Sequence, residues 1–121
     1  MSPTARSLAW LRDGGWTAGV VERWNPGARV RQDFLGFADI VAVHVDDRRT
    51  AAVQACVTGD VSKRVTKIIG EPRATTWLRT GHEIIVMGWA KRGPRGKRKT
   101  WQLHERAITL DDIAPAEEVK P

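Results

Sequence analysis

The chain is poor in cysteine, in tyrosine and in long apolar runs: it has one cysteine and no tyrosine among 121 residues. One cysteine excludes an internal disulfide and a cysteine-based zinc site built by a single chain. No apolar run approaches the roughly 20 residues that a membrane-spanning helix needs, and the first residues form no apolar signal region. We therefore expect a protein of a reducing, cytoplasmic setting that is neither exported nor inserted in a membrane.

Negative charge is also scarce, since 14 acidic residues stand against 20 Lys and Arg and leave a formal net charge of +6. Six of these cations form a basic stretch of nine residues, namely Lys91, Arg92, Arg95, Lys97, Arg98 and Lys99. Glycine and proline within it predict a loop. Without these six charges the chain is formally neutral, so the excess is local. Such an excess is typical of a polyanion binder, although a solvated loop could look the same; we favour nucleic acid.

The length fits one domain with one modest core. We predict that residues 1–110 form this domain and that residues 111–121, an acidic segment, form a loosely ordered tail. The spacing of apolar and turn residues predicts helices that begin near Ser2, Asp60 and Pro72. Strands are predicted over residues 16–24, 38–45, 50–57, 83–89 and 100–106. This order predicts an α/β fold with a sheet of mixed strand direction and its last strand on an edge.

Two of the predicted central strands carry polar residues that a buried strand does not tolerate without a reason. Asp39 stands in the run 38–45, and Gln54 stands in the run 50–57. Since residues two apart in a strand share a face, Gln54 and Cys56 point the same way. A buried Asp and a buried Gln need either a satisfied hydrogen-bond network or a metal ion. Cys56 itself fits a small core residue, because no adjacent base marks it as a catalytic thiol.

The order of the elements, with Asp39 on one strand and Gln54-Ala55-Cys56 on the next, resembles the PD-(D/E)XK nuclease superfamily. The resemblance covers roughly residues 5 to 106, and the segment that leads to Asp39 is similar to small phage and archaeal-type Holliday junction resolvases. Mrr-type nucleases of this superfamily carry Gln at the second motif position. The resemblance implies a restriction-endonuclease-like α-β-β-β-α-β core with a central mixed sheet flanked by helices. It also implies the cytoplasm of a bacterial, archaeal or phage-infected cell.

The same resemblance implies a site for Mg²⁺ or Mn²⁺, which serves phosphodiester hydrolysis in such nucleases. Asp39 would be the essential carboxylate, with the Gln54 side-chain oxygen and the Ala55 carbonyl as further oxygen ligands. Glu22 or Asp33 could supply a second carboxylate, since both lie where the chain leads into the Asp39 strand. The alternatives for these two residues are local ion pairs, of Glu22 with Arg23 and of Asp33 with Arg29 or Arg31.

Cys56 stands where the superfamily has a lysine that positions or activates water, and a thiol cannot replace that cation. In some members the lysine lies on the following helix. We therefore predict Lys63 as the catalytic substitute, with Lys67 as the second choice. The alternative is that both lysines lie on a solvated or DNA-facing side of that helix. The first helix also lacks the Glu that many resolvases of this group use.

The leading hypothesis is a metal-dependent DNA endonuclease that acts as a homodimer, with branched DNA as a candidate substrate. The basic stretch, Arg31 and Lys67 would contact the DNA, and Trp24 and Trp101 could stack on bases or sugars. One alternative is a catalytically inactive nuclease-fold protein that binds DNA, which the altered motif favours. Another is a small basic RNA-binding module, although no aromatic strand pattern of the RNA-recognition type is present.

Overall fold

Residues 1–113 are described by the structure, a computed structural model, and contain four α-helices and seven strands. The helices are α1 (Pro3–Asp13), α2 (Val61–Ile69), α3 (Pro72–Arg79) and α4 (Leu110–Ile113). The strands are β1 (Thr17–Val20), β2 (Arg23–Asn25), β3 (Val30–Gln32), β4 (Ile40–His44), β5 (Arg49–Val57), β6 (Glu83–Arg92) and β7 (Thr100–Ile108). Within residues 1–113, no helix is long and apolar enough to cross a membrane.

Five strands form one sheet in the order β1-β4-β5-β6-β7. β1, β4 and β5 are antiparallel neighbours, β5 and β6 run parallel, and β7 returns antiparallel to β6. A parallel pair needs a long crossover, and here α2 and α3 provide it. The predicted α/β class with a mixed sheet is therefore confirmed, and so is the edge position of the last strand. β2 and β3 form a separate two-stranded ribbon.

The core is divided between the two faces of the sheet, because side chains alternate along each strand. On the first face, here called the α1 face, Leu11 packs in a cluster that includes Val53. On the second, the α2 face, Ile68 packs in a cluster that includes Cys56. Gln54 is two residues from Cys56 on the same strand, so its side chain lies on the α2 face. The shared face that the sequence predicts for these two residues is confirmed.

The predicted strand over residues 16–24 is too long, because the chain leaves the sheet after Val20. The amides of Val21 and Glu22 both donate to the Asp39 carbonyl, at 2.9 and 3.4 Å, and this pairing ends β1. The β2–β3 ribbon then forms where the sequence predicts a turn and a polar segment. Its residues are mostly exposed and polar, so no apolar alternation marks them in the sequence.

The β6–β7 hairpin is longer than predicted. Lys91 and Arg92 belong to β6 rather than to a loop, because they pair with Trp101 and Thr100 of β7. Only residues 93–99 form the connection between the two strands. The cations of the basic stretch therefore lie partly on a regular hairpin, which holds the first two of them at defined positions.

The short helix α4 extends the fold beyond the predicted domain boundary at residue 110. Arg106 Nη2 donates to Asp112 Oδ1 at 2.8 Å, and Asp112 Oδ2 accepts a hydrogen bond from the Thr109 amide at 2.8 Å. The hydrogen bond from Arg106 is the largest cause that lowers the pKa of Asp112, and the hydrogen bond from the Thr109 amide is the next. Together they bring this pKa to about 2. The remainder of the predicted acidic tail, residues 114–121, lies outside the described residues.

Gly88 lets β6 pass close to the segment that leads into α2. A Cβ at this position would meet Val61 Cγ2 and would lie 3.0 Å from the Thr58 Cα. We expect Gly88→Ala to destabilise the protein by about 1–3 kcal/mol, because the overpacked backbone must move. Urea unfolding measures this loss. Gly19→Ala, whose Cβ meets nothing within 4 Å, is the matched control, and an equal urea midpoint for both variants would contradict the expectation.

Candidate metal centre

Asp39 lies immediately before β4, at the point where that strand meets β5. Its backbone amide donates to the Val53 carbonyl at 2.8 Å. Its carboxylate Oδ2 accepts two hydrogen bonds from β5, one from the Ala55 amide at 2.9 Å and one from Gln54 Nε2 at 2.6 Å. Only 5% of Asp39 is exposed. Asp39 and Gln54 therefore form a buried, hydrogen-bonded polar pair.

The position of Asp39 makes its ionised form unfavourable. Burial is the largest cause that raises its pKa, the Ala55 amide opposes the rise, and the charges of Asp33 and Glu22 add to it, so that the pKa reaches about 7. A carboxyl group in this state loses its proton when a cation binds, because the cation favours the charged form. Asp39 thus has the properties of a metal ligand that is protonated for part of the time at neutral pH without metal.

Three carboxylates from separate segments converge here and are called the acidic cluster: Glu22 follows β1, Asp33 follows β3, and Asp39 precedes β4. One carboxylate oxygen of each lies within 4.8 Å of the others. Phe37, which is fully buried, anchors the loop between Asp33 and Asp39 in the core. The structure therefore brings both Glu22 and Asp33 to Asp39, whereas the sequence offers them as alternatives. Such a group of oxygen ligands is suited to Mg²⁺ or Mn²⁺.

The Gln54 amide borders the acidic cluster and holds an acceptor that is not used. Gln54 is 2% exposed, and its Oε1 has no hydrogen-bond partner within residues 1–113. A buried acceptor without a partner costs on the order of 1–3 kcal/mol, so a group that satisfies it is favoured. Because Nε2 of the same amide contacts Asp39, this oxygen lies beside the carboxylates. Gln54 is therefore a candidate for a neutral oxygen ligand.

Ala55 presents its backbone to the same place. Its N–H donates to Asp39, and in an extended strand the N–H and C=O of one residue project to the same side. The ladder between β4 and β5 ends at the pair of Ile40 with Val53, so no β4 residue pairs with Ala55. The carbonyl that the resemblance assigns as a ligand is therefore directed toward the side of Asp39.

Two cations border the acidic cluster. Arg31 Nη1 lies 3.6 Å from Glu22 Oε1, and Lys67 Nζ lies 3.7 Å from Asp33 Oδ2. Both cations are among the predicted nucleic-acid contacts, and they come from separate elements, the β2–β3 ribbon and α2. They offset part of the negative charge of the cluster at its rim, while the more buried Asp39 has no such partner within residues 1–113.

These ion pairs differ from those that the sequence offers, which are Arg23 for Glu22 and Arg29 or Arg31 for Asp33. Glu22 and Arg23 are consecutive in an extended segment, so their side chains leave on opposite sides. Arg29 has a left-handed backbone conformation, with φ of 56°, in the turn of the β2–β3 ribbon. Arg31 contacts Glu22, and Asp33 contacts a helix residue that is distant in sequence.

A groove of about 680 Å³ opens beside the acidic cluster and is called the basic groove. Four cations line it: Arg23, Arg31, Lys67 and Arg73. Asp33 also lines the groove, so the groove adjoins the acidic cluster at this residue. Sequence reasoning missed Arg23 and Arg73, because only the fold brings the β2–β3 ribbon and α3 together. The groove can hold a phosphate next to a metal ion.

Cys56, which stands where the resemblance places a motif lysine, is 4% exposed. Burial raises the pKa of the Cys56 thiol, and the positive charge of Arg64 opposes this rise, so Arg64 lies near that position. The Nε of Arg64 is buried without a hydrogen-bond partner within residues 1–113. Sequence reasoning missed Arg64, although the spacing of α2 contains the signal: residue 64 flanks the core-facing stripe of Val61, Val65 and Ile68.

Lys63 lies on the other side of α2 and does not reach the acidic cluster. At 3.6 residues per turn it stands about 180° from the core-facing stripe, and its side chain is exposed. Lys67 lies between Lys63 and Arg64 around the helix and contacts Asp33. Of the two lysines that the sequence offers as substitutes, the structure brings the second choice to the cluster and leaves the first facing solvent.

The six cations of the basic stretch lie apart from this site. All six are exposed, and none forms an ion pair with a carboxylate of residues 1–113. Gln54 pairs with Val86, and Lys91 is five residues further along β6, so the stretch begins roughly 16 Å away along the strand. The predicted DNA contacts therefore fall on two surfaces, the basic groove with Arg31 and Lys67 and the basic stretch on the β6–β7 hairpin.

Comparisons with protein-family models, with curated proteins and with solved structures each returned no match. The resemblance to the PD-(D/E)XK nucleases therefore stays a prediction from the order of elements and the short motif. What the structure adds is local: three converging carboxylates, a buried amide oxygen beside them, and an adjoining groove lined by four cations.

Proposed function

We propose that this protein is a metal-dependent DNA endonuclease that hydrolyses phosphodiester bonds with Mg²⁺ or Mn²⁺. The observation that carries the proposal is the acidic cluster, whose three carboxylates lie within 4.8 Å of one another beside a buried amide oxygen without a partner. Carboxylates this close repel one another when ionised, and a divalent cation removes that repulsion. The four cations of the basic groove are suited to binding the phosphates of a nucleic acid.

The order of elements supports the same proposal. Without the β2–β3 ribbon, the chain runs α1, β1, β4, β5, then α2 and α3, then β6. This is the α-β-β-β-α-β order that the resemblance implies, with Asp39 at the start of the second sheet strand and Gln54-Ala55 on the third. A restriction-endonuclease-like core is therefore part of the proposal.

Each residue of the site would have a distinct role. Asp39, Glu22 and Asp33 would hold the metal ion through their carboxylates, with Gln54 Oε1 and the Ala55 carbonyl as neutral ligands. The bound ion would supply an activated water and would stabilise charge on the leaving oxygen. The basic groove would position the phosphodiester against the cluster. Phosphate contacts of this kind weaken steeply as salt rises.

A second candidate function is DNA binding without cleavage, and Cys56 is the observation that favours it. A buried thiol whose pKa is raised stays neutral and cannot act as the motif lysine does. Arg64 is the cation that could take over that role. A homodimer and a preference for branched DNA are predictions that come from the resemblance to junction resolvases.

A cleavage assay on four-way junction and linear DNA, with Mg²⁺ or Mn²⁺, tests the proposal. We expect the wild type to cut at least one of these substrates and Asp39→Ala to lose about 10³-fold or more of the rate, because the most buried ligand is gone. Asp46→Ala, which removes an exposed carboxylate of the β4–β5 turn, is the matched control and should cut normally. DNA binding without cleavage at any metal concentration would contradict the proposed endonuclease activity and favour the second candidate function.

A further inference from the structure

Trp101 on β7 is an exposed aromatic side chain that the core does not use. It is 44% exposed, whereas Trp16 and Trp89 are 9% and 7% exposed. It lies on the α1 face, because it has the parity of Leu103, which packs against the core on that side. The Arg6 guanidinium of α1 lies 3.7 Å from the centroid of the indole ring. This contact orients the ring and covers part of it.

A cavity of about 730 Å³ opens beside Trp101 at the base of the basic stretch. Its remaining lining consists of Thr100 and of three cations, Lys91, Arg98 and Lys99. Within residues 1–113 no carboxylate contributes to this lining, so the cavity favours an anionic ligand. Its size falls in the range of small-ligand sites. An exposed indole adds a flat surface on which a planar ring can stack.

We propose that this cavity binds an unpaired nucleotide of single-stranded DNA, with the base stacked on Trp101 and the neighbouring phosphates held by Lys91, Arg98 and Lys99. An aromatic platform beside positive charge holds single strands without reading their sequence, because every base has a π-face. A base inside a duplex is already stacked on its neighbours and is not available to the indole. The site therefore selects a single-stranded segment of the substrate.

This site is separate from the acidic cluster. Trp101 lies on the α1 face and Gln54 lies on the α2 face, and the two are also displaced along the sheet. The choice of DNA as the ligand rests on the proposed function, whereas the stacking surface and its cations do not depend on it. Binding at Trp101 can therefore be measured with the metal removed and without any cleavage.

Fluorescence anisotropy with a labelled oligodeoxythymidylate in EDTA tests the proposal. Trp101→Ala should weaken binding about tenfold, and Trp101→Phe should retain most of the affinity, because Phe keeps a stacking ring. Trp10→Ala, which removes a tryptophan that is 41% exposed on α1, is the matched control and should bind as the wild type does. On a strand with the same phosphates but abasic positions, wild type and Trp101→Ala should bind equally. On duplex DNA they should differ less than about twofold.

Equal binding of the wild type and Trp101→Ala to the oligodeoxythymidylate would overturn the proposal. An equal loss on single-stranded, abasic and duplex DNA would overturn it too, with urea unfolding used to show that the variant is folded. Tighter binding of oligouridylate with the same dependence on Trp101 would overturn the assignment of DNA and show that the site binds RNA. A dependence on Trp101 found only with phosphatidylserine vesicles would overturn the proposal and show that the site binds a membrane surface. Failure of the wild type to cleave DNA contradicts the proposed function and leaves these binding results unaffected.

Discussion

Replacing Asp39 by Asn is expected to raise the stability of the metal-free protein at pH 8 by about 2–4 kcal/mol. The wild-type carboxyl group must ionise in a buried position, with its pKa raised from 3.8 to about 7, and each unit of pKa corresponds to about 1.4 kcal/mol. The Asn amide is neutral, and its oxygen can still accept hydrogen bonds from the Ala55 amide and Gln54 Nε2. Urea unfolding of both proteins in EDTA gives the difference.

The pH dependence of this gain follows from the direction of the shift. Because the folded pKa of Asp39 lies above the unfolded value, the folded protein binds the extra proton between roughly pH 4 and pH 7. The contribution of Asp39 to the free energy of unfolding of the wild type therefore falls as the pH rises through that window and is constant outside it. The advantage of Asp39→Asn should be absent near pH 4 and complete above pH 7. Asp46→Asn, at an exposed position, should gain nothing.

Divalent metal is expected to make the wild type more stable than Asp39→Asn, which reverses their order of stability without metal. Mn²⁺ should stabilise the wild type by mass action, by about 3 kcal/mol when its concentration is 100 times the dissociation constant, and should leave Asp39→Asn nearly unchanged. Asp39 would then be a residue that destabilises the fold without metal and is kept for binding it. An equal shift by Mn²⁺ in both proteins, or no gain of the metal-free variant at pH 8, would contradict the role of Asp39 as a buried ligand.

Arg64→Ala is expected to lower the rate of DNA cleavage about 10²- to 10³-fold, while Lys63→Ala leaves it unchanged. The positive charge of Arg64 opposes the rise of the Cys56 pKa, and Cys56 stands where the resemblance places a motif lysine. The Nε of Arg64 is buried, so under the proposed function its charge would act on the phosphate or water with little screening. Lys63 is exposed on the opposite side of α2. Single-turnover cleavage with DNA in excess of its dissociation constant separates this effect from binding.

Three further measurements make the Arg64 experiment decisive. Arg64→Lys should recover part of the rate, because it keeps the charge but not the shape of the guanidinium. Urea unfolding of Arg64→Ala should show a folded protein, and anisotropy should show DNA binding reduced far less than cleavage. If Lys63→Ala loses cleavage and Arg64→Ala keeps it, the substitute predicted from the sequence is right and the assignment from the structure is wrong.

The sequence was sufficient to single out Asp39, Gln54 and Cys56, because Asp39 directly precedes an apolar strand and the other two lie in the apolar strand that pairs with it. In such strands a polar residue stands out, and the period of two fixes which residues share a face. The mixed α/β class followed from the same periodicities. These inferences concern residues close in sequence or on neighbouring strands, where local geometry determines the arrangement.

The periphery of the site could not be predicted in the same way. Arg64 and Lys63 are adjacent in sequence, and only the orientation of α2 against the sheet decides which of them faces Cys56. Arg23 and Arg73 lie on short or helical elements that meet only through the fold. The β2–β3 ribbon has three-residue strands that are mostly exposed, so its sequence carries no period that would reveal it.

The two edges of the sheet also bear on how copies of this protein meet one another. An exposed strand edge is a template for pairing with another chain, and natural proteins blunt it with short or charged strands. β1 offers only four residues, and β7 carries Glu105 and Arg106 near its middle with a basic connection at its start. Extension of the sheet from one molecule into the next is therefore disfavoured at both ends. The fold thereby limits fibrous aggregation through the edges of its sheet.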